Sequence, residues 1–329
     1  MTAEAGAAVR LTVGGGPDRC SDSARARQEA PTATAPPAAR LLLVEVPGAW
    51  GRAGLTGSRI SPAVTVPLAA AADAAGVRVQ LIRRPGRHPG PRRPASLSSD
   101  GRHAWALADP AAGVVRWGTW TAEADLLALD LAESLDRSVH SGTGPQRLAL
   151  VCTHARHDVC CAVRGRPVAA ALGAAGLGRE VWETSHLGGD RFAANLLLLP
   201  EGEVFGGLDE RTAVAAARAL DDGRLDLAHH RGRVGRSPAE QAVLDLAATA
   251  LDDDRVDAVR LLHLAPPTAP DAGGRVLHRA RVTHGERVYR LDLVGWWAAP
   301  ERLTCAAVEA KPARRFALAA LAALAAEED

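Results

Sequence analysis

The sequence predicts an α/β protein in which a β-α-β-β-β-α order of elements occurs twice and is followed by a small α+β appendage. Short apolar runs that end in glycine or proline indicate buried strands. Alanine- and leucine-rich segments that begin at serine or aspartate indicate helices. These two kinds of segment alternate in the same order in both halves of the chain. With 329 residues the chain is long enough for more than one domain.

The first half is predicted to occupy residues 39–145, after an amino-terminal segment 1–38 that is rich in small residues and proline and is expected to be irregular. The predicted elements are a strand at 40–48, a helix at 61–76, a strand at 77–82, a hairpin formed by 103–109 and 113–120, and a helix at 122–135. Prolines and glycines make 83–95 an irregular loop.

The second half is predicted to occupy residues 146–235. Its predicted elements are a strand at 147–154, a helix at 158–176, strands at 179–185, 195–200 and 203–207, and a helix at 209–220. A crossover helix followed by a hairpin and a second helix is compatible with a thioredoxin-like α/β unit, so the chain is expected to contain two such units in tandem.

The remaining residues, 236–329, form the predicted α+β appendage, in which we identify no chemistry. Ser237 and Glu240 fit the capping box of a helix at 237–251. A strand at 258–264 and a hairpin at 275–297, turning at His284-Gly285, follow. The last segment, 314–326, places Leu318, Leu321 and Leu324 along one stripe.

Net charge, hydropathy and cysteine count indicate which partners and which cellular location to expect. The net charge of +1 gives no electrostatic reason to expect a nucleic-acid or membrane partner. No apolar run is long enough for a signal peptide or a membrane helix, so we expect a cytoplasmic protein. In that compartment thiols stay reduced, and an odd count of five cysteines argues further against a disulfide framework.

Three of the five cysteines lie in "VCTHARHDVCC", residues 151–161. Cys152 ends a predicted strand, and Cys160 and Cys161 fall in the first turn of the next helix, where amide groups and the helix dipole favour thiolates. Adjacent helical residues point about 100° apart, so Cys160 and Cys161 cannot both face one site. One of them is expected to belong to the core.

Two cysteines supply only half of a four-ligand site. The segment "SHLGGD" (185–190) offers His186 and Asp190 on either side of a Gly-Gly that lets the backbone curl around an ion. His154 and His157 are rival ligands in the loop between the cysteines. The candidate ligands of a metal or an iron–sulfur cluster are therefore two thiolates together with residues from these two segments.

The segments "VCTHARHDVCCAVRGRPVAAAL" and "VWETSHLGGDRFAANLLLLPEGEVFGGLD" resemble the sucrase/ferredoxin-like family. The resemblance extends to residues 19–51, to "GRSPAEQAVLDLA" and to 303–318, so it covers most of the chain. It implies a thioredoxin-like ferredoxin domain with a 2Fe–2S cluster that passes single electrons. It implies no glycosidase activity, and whether the protein is an enzyme stays open.

When the family's ligand positions are carried over to this sequence, the resemblance implies that Cys152, Cys161 and His186 are cluster ligands. It also implies that Cys160 faces away from the site. Relatives have a second histidine at the position of Asp190, and this chain has an aspartate there. Three outcomes stay open: a cluster held by Cys152, Cys161, His186 and Asp190, a cluster completed by another residue such as Cys160 or His154, and a protein that has lost the cluster.

Since no Gly-x-Gly-x-x-Gly fingerprint follows a predicted strand, we identify no NAD or FAD site, and electrons would come from a redox partner such as a flavoprotein reductase. The alternative functions are a metal-free thiol oxidoreductase and a zinc-binding module on the same fold. The oligomeric state is not predicted.

Overall fold

The computed structural model describes residues 19–86, 101–136 and 144–324, and within them two β-sheets and five α-helices. The strands are β1 (Arg40–Glu45), β2 (Val77–Arg83), β3 (His103–Asp109), β4 (Val114–Trp120), β5 (Leu148–Cys152), β6 (Glu180–Thr184), β7 (Leu196–Leu199), β8 (Glu203–Phe205), β9 (His230–Arg233), β10 (Val259–Leu264), β11 (Val276–His284), β12 (Arg287–Trp297) and β13 (Arg314–Ala323). The helices are α1 (Cys20–Ala26), α2 (Pro62–Ala74), α3 (Val159–Ala174), α4 (Glu210–Asp221) and α5 (Pro238–Ala250). Every helix in these ranges is too short or too polar to cross a lipid bilayer.

The two halves of the chain share one sheet of nine strands, in the order β4-β3-β1-β2-β6-β5-β7-β8-β9. β1 pairs with β2 and β5 with β6 in parallel, and the other neighbouring strands are antiparallel. The halves join at β2 and β6, where Ile82 lies opposite Thr184 and Arg83 opposite Glu183. A buried ion pair of 2.6 Å between Arg83 and Glu183 reinforces this junction. The fold is therefore mixed α/β with a mostly antiparallel sheet.

The large sheet curls so that its two halves enclose a common core. Trp117 on β4 and Trp182 on β6 stack with ring centroids 5.9 Å apart. β4 and β6 are four positions apart in the sheet, so in a flat sheet they would lie about 19 Å apart. The enclosed cluster includes Leu43 of β1 and Leu150 of β5, and the two cysteines Cys152 and Cys161 belong to it. α3 and α4 pack on the other side of β5, against Ala149 and Val151.

The predicted helix at 122–135 is wrong. A short 3-10 helix, Glu123–Ala128, is the regular structure in that range. Arg40 explains the break, because its guanidinium donates to the carbonyl oxygens of Leu131 (2.9 Å) and Glu133 (2.6 Å), which helical N–H groups would otherwise use. The Asp130 carboxylate also accepts from the Ala132 N–H, a local bond that competes with helix formation.

The amino-terminal segment that was expected to be irregular contains α1, and residues 1–18 lie outside the described ranges. The loop predicted at 83–95 is described only up to residue 86, and Arg83 is the last residue of β2. The other predicted strands and helices of both halves are confirmed within a few residues at their ends.

The appendage forms a second sheet, β10-β11-β12-β13, with α5 packed on it. The capping box of Ser237 and Glu240 is confirmed. The hairpin turn lies one residue later than predicted, because His284 pairs with Arg287 around Gly285-Glu286. Leu318 and Leu321 of the predicted leucine stripe lie on strand β13, where a register shift keeps both packed against the same core, whereas Leu324 follows the strand and is exposed.

A buried ionic network connects β8, β9 and α5. The two ring nitrogens of His230 each lie 2.9 Å from a carboxylate, Asp245 on one side and Glu203 on the other. Arg233 binds the second oxygen of Glu203 at 2.6 Å. Burial alone would lower the pKa of His230, but the two carboxylates raise it to about 10. The imidazolium therefore joins the edge of the large sheet to the appendage.

This network predicts a loss of stability at alkaline pH. The folded pKa of His230 is above the unfolded value of about 6.5, so its contribution is complete below that pH and is lost as the pH rises through about 10. We expect His230 to contribute a slope approaching 1.4 kcal/mol per pH unit to the fall in the free energy of unfolding, measured with urea, between pH 7 and 10. His230→Gln should remove this slope and cost about 3–5 kcal/mol at pH 7. The matched control is His229→Gln, since the side chain of this neighbour is about a quarter exposed. Parallel pH curves for wild type and His230→Gln would contradict the assignment.

Candidate metal centre

The first wall of the site is the junction of β5 and α3. All five residues of β5 are buried, and Cys152 is the last of them. Asp158 is the N-cap of α3, and its carboxylate accepts from the Cys160 N–H at 2.8 Å. α3 lies directly on the strand, since a Cβ added at Gly165 would lie 2.2 Å from the carbonyl oxygen of Cys152. This close approach fixes Cys161 beside Cys152.

The vicinal cysteines point to different places, as their 100° separation predicts. The Cys161 side chain joins the enclosed core next to Cys152. The Cys160 side chain joins Cys20 and Cys305 in a separate group, which we call the three-cysteine cluster. Nothing in the sequence spacing of Cys20 and Cys305 indicates that they meet Cys160.

The second wall of the site is the loop after β6. Gly188 and Gly189 have positive φ angles of 85° and 70°, which a side chain would strain. Arg231 donates to the Gly188 carbonyl at 3.0 Å, and Asn195 donates to the Gly189 carbonyl at 3.0 Å. A Cβ at Gly189 would lie 2.5 Å from the Arg231 guanidinium. The Gly-Gly pair therefore lets the loop close tightly over a buried arginine.

The two walls bring the four predicted site residues together. One ligand atom each from Cys152, Cys161 and His186 lies within 4.8 Å of the others. The Asp190 carboxylate lies 3.3 Å from the Cys161 sulfur and 2.9 Å from Nδ1 of His186. We call Cys152, Cys161, His186 and Asp190 the cysteine–histidine site.

Of the two rival histidines, the structure brings His157 to this site. Its ring stacks on that of His186 with centroids 3.7 Å apart, and its Nε2 lies 3.6 Å from Asp190. His157, His186 and Asp190 form a second group of potential ligand atoms. His154 belongs to neither group among the described residues, and its Nε2 lies 2.8 Å from the Gly51 carbonyl oxygen.

The site favours a thiolate at Cys152. A hydrogen bond from the Cys161 thiol lowers the pKa of Cys152, and His186 lowers it further. The same bond raises the pKa of Cys161. Burial works against charge on His186, but the Asp190 carboxylate and the Cys152 thiolate raise its pKa to about 9. Burial also works against charge on Asp190, but its pKa is lowered, chiefly by His186. The imidazolium of His186 therefore stabilises both the anionic sulfur of Cys152 and the carboxylate of Asp190.

Two arginines that sequence reasoning did not identify add positive charge near the cysteine–histidine site. Arg78 on β2 donates to the His186 carbonyl oxygen at 2.8 Å. Burial lowers the pKa of Arg78, and the Cys152 thiolate raises it. Burial lowers the pKa of the fully buried Arg231 to about 9. Neither residue was identifiable from local pattern, because each reaches the site only through sheet pairing between distant segments.

The cysteine side of the site is buried, whereas the histidine side is partly open. Cys152 and Cys161 have no exposed surface, but the His157 and His186 side chains are about a third and a quarter exposed. Both histidines line a cavity of about 820 Å³, together with Arg52 and Arg78. Access from solvent is therefore by way of the imidazoles.

Among the described residues, the buried Nδ1 of His186 makes no hydrogen bond of acceptable geometry, although Asp190 is within reach. An unsatisfied imidazole nitrogen next to two sulfurs and a carboxylate fits a ligand role. The fold and the site define an α/β protein whose clustered cysteine, histidine and aspartate residues could hold a metal ion.

The comparisons with known proteins give the family. The family model described as sucrase/ferredoxin-like matches residues 33–230, which is more than half of the chain, so the protein belongs to the sucrase/ferredoxin-like family. A search of curated proteins and a search of solved structures each find no match.

The contact between α3 and β5 predicts opposite effects for two glycines of one helix. Gly165→Ala should reduce the free energy of unfolding by about 1–3 kcal/mol, because the added methyl group collides with the Cys152 carbonyl oxygen. Gly173→Ala is the matched control, since no atom of the described residues lies within 4 Å of the new Cβ. It should leave stability unchanged or raise it by up to about 1 kcal/mol. Urea unfolding followed by circular dichroism measures both, and equal effects would contradict the packing.

Proposed function

We propose that the protein is an electron carrier with a 2Fe–2S cluster held by Cys152, Cys161, His186 and Asp190. The observation that supports this most is the convergence of these four side chains from β5, α3 and the loop after β6. Two thiolates with one nitrogen and one oxygen ligand suit iron, and Nδ1 of His186 would bind it after losing the proton that now faces Asp190. Membership of the family supports the same assignment.

The proposal includes a thioredoxin-like fold for each half. The strand orders β2-β1-β3-β4 and β6-β5-β7-β8 are the same, with one parallel pair and two antiparallel pairs in each. This repeat supports a division into an amino-terminal unit (39–145), a ferredoxin unit (146–235) and the appendage (236–329). The candidate ligands all lie in the second unit.

A bound cluster would supply one-electron chemistry, and the residues around it would determine its exposure to water and the charge of its surroundings. The buried cysteines exclude water from the sulfur side. Arg78 and Arg231 offset negative charge at a site of low dielectric. His157, stacked on His186 and close to Asp190, covers the opposite side.

We propose that electrons pass through the partly exposed imidazole edge. A flavoprotein reductase is the proposed donor, and Arg52 and Arg78 in the adjoining cavity would attract an acidic partner surface. We also propose that the protein is cytoplasmic, because the site needs reduced thiols and thiols stay reduced in that compartment.

A second candidate function is thiol chemistry without a metal. The specific observation that favours it is that the sulfur atoms of Cys152 and Cys161 lie within 4.8 Å of each other, so one site contains two thiols. Zinc bound by the same residues is the third candidate. The colour and the metal content of the purified protein distinguish these three candidate functions.

The test is an anaerobic purification followed by iron and acid-labile sulfide determination and EPR of the reduced protein. Wild type should contain two irons and two sulfides per chain. Cys152→Ala, Cys161→Ala and His186→Ala should each lose most of the cluster, because each removes a ligand. His154→Ala is the matched control, from the same loop as the cysteines, and should keep it. A colourless, iron-free wild type would refute the proposal. If His157→Ala altered the EPR signal and Asp190→Ala did not, His157 would replace Asp190 as the fourth ligand.

The carboxylate ligand has a consequence for the reduction potential. Asp190→His removes a negative charge and provides the neutral imidazole that relatives have at this position, so we expect the midpoint potential to rise by on the order of 100 mV. Asp190→Asn, which removes the charge without an imidazole, serves as the control. Protein-film voltammetry measures the shift. An unchanged potential in Asp190→His would show that Asp190 does not bind the cluster.

A further inference from the structure

The three-cysteine cluster lies on the far side of the first turn of α3 from the cysteine–histidine site. Cys20 begins α1, Cys160 is in α3, and Cys305 is in the loop between β12 and β13. Their separations along the chain are 140, 145 and 285 residues. Three thiols from such distant segments meet only because the folded chain packs these segments together.

The sulfur atoms form a small triangle. Cys160 lies 3.2 Å from Cys305 and 3.7 Å from Cys20, and Cys305 lies 3.5 Å from Cys20. Zinc–sulfur bonds of about 2.3 Å place two sulfurs of a tetrahedral site about 3.8 Å apart. The triangle is thus only slightly smaller than one face of a zinc tetrahedron. A two-iron cluster would need its ligands in two separated pairs, so the triangle suits a single ion.

Asp158 completes a four-ligand set. Its Oδ2 lies 3.7 Å from the Cys20 sulfur, and about 3.6 Å is expected between sulfur and oxygen ligands of one zinc ion. The same carboxylate is held in place by the N–H groups of Cys160, at 2.8 Å, and Cys305, at 2.6 Å. These four residues form one of the groups with ligand atoms within 4.8 Å of one another.

We propose that Cys20, Cys160, Cys305 and Asp158 bind a structural zinc ion, separate from the cysteine–histidine site. Thiolate ligands exclude magnesium and calcium, and a set of three sulfurs and one oxygen suits zinc. Cys20 and Cys160 are fully buried, so the site is closed as structural zinc sites are. All three cysteines are free, and a disulfide between any two of them would leave the third without a partner.

The zinc ion fastens α1 and the loop between β12 and β13 to the first turn of α3. Arg164 of α3 extends this attachment, since it donates to the Ser21 hydroxyl at 3.0 Å, and Ser21 donates to the Cys160 sulfur at 3.3 Å. Because Cys160 and Cys161 are adjacent, the zinc ion also fixes the helix turn that presents Cys161 to the other site.

The vicinal cysteines provide a matched pair of variants, because both are fully buried and each faces one site. Full-length protein expressed with added zinc is assayed for zinc and iron by mass spectrometry of the metals. Wild type should contain one zinc ion per chain. Cys160→Ser should lose at least nine-tenths of the zinc, and Cys161→Ser should keep it.

Cys305→Ser supplies a second variant in a partly exposed loop, in case Cys160→Ser does not fold. It too should lose zinc, and cobalt bound to wild type should give the intense visible absorption of a tetrahedral thiolate site. Absence of zinc from wild type would overturn the proposal. So would zinc that is lost from Cys161→Ser but kept in Cys160→Ser and Cys305→Ser, or a disulfide between two of the three cysteines in the purified protein. Since iron content is measured in the same samples, these results are independent of the proposed electron-transfer function.

Discussion

The organisation of the protein depends on the contact between the first turns of α3 and the end of β5. Gly165 allows the helix to lie against the Cys152 carbonyl, and Asp158 starts the helix at a fixed residue. With the helix start fixed, the roughly 100° between adjacent residues sends Cys161 inward to Cys152 and Cys160 outward to Cys20 and Cys305. One local constraint therefore creates two separate groups of sulfur atoms.

Charge balance is the second requirement of the cysteine–histidine site. A thiolate and a carboxylate lie in a largely buried region, which is costly unless positive groups are near. Arg78 and Arg231 and the imidazolium of His186 supply these groups from β2, β9 and the loop after β6. Because β2 belongs to the first half of the chain, the site needs both halves, although its candidate ligands come from the second.

The sequence was sufficient to predict those elements and site residues that depend on local sequence patterns. An alanine-rich segment that begins at an aspartate predicted α3, and the Gly-Gly segment indicated that His186 and Asp190 could join the cysteines. It failed where a side chain that is distant in sequence determines the local structure. Arg40 donates hydrogen bonds to carbonyl groups of the segment 122–135, which was expected to be a helix. It failed likewise for Cys20 and Cys305, because their contact with Cys160 depends on how distant segments of the chain pack together.

The most direct test of this account is a crystal structure of the anaerobically purified protein with anomalous diffraction recorded at the iron and zinc absorption edges. The account predicts iron peaks between the Cys152–Cys161 pair and the His186–Asp190 pair, and one zinc peak among Cys20, Cys160 and Cys305. A zinc peak at Cys152 and Cys161, with no iron in the crystal, would contradict it.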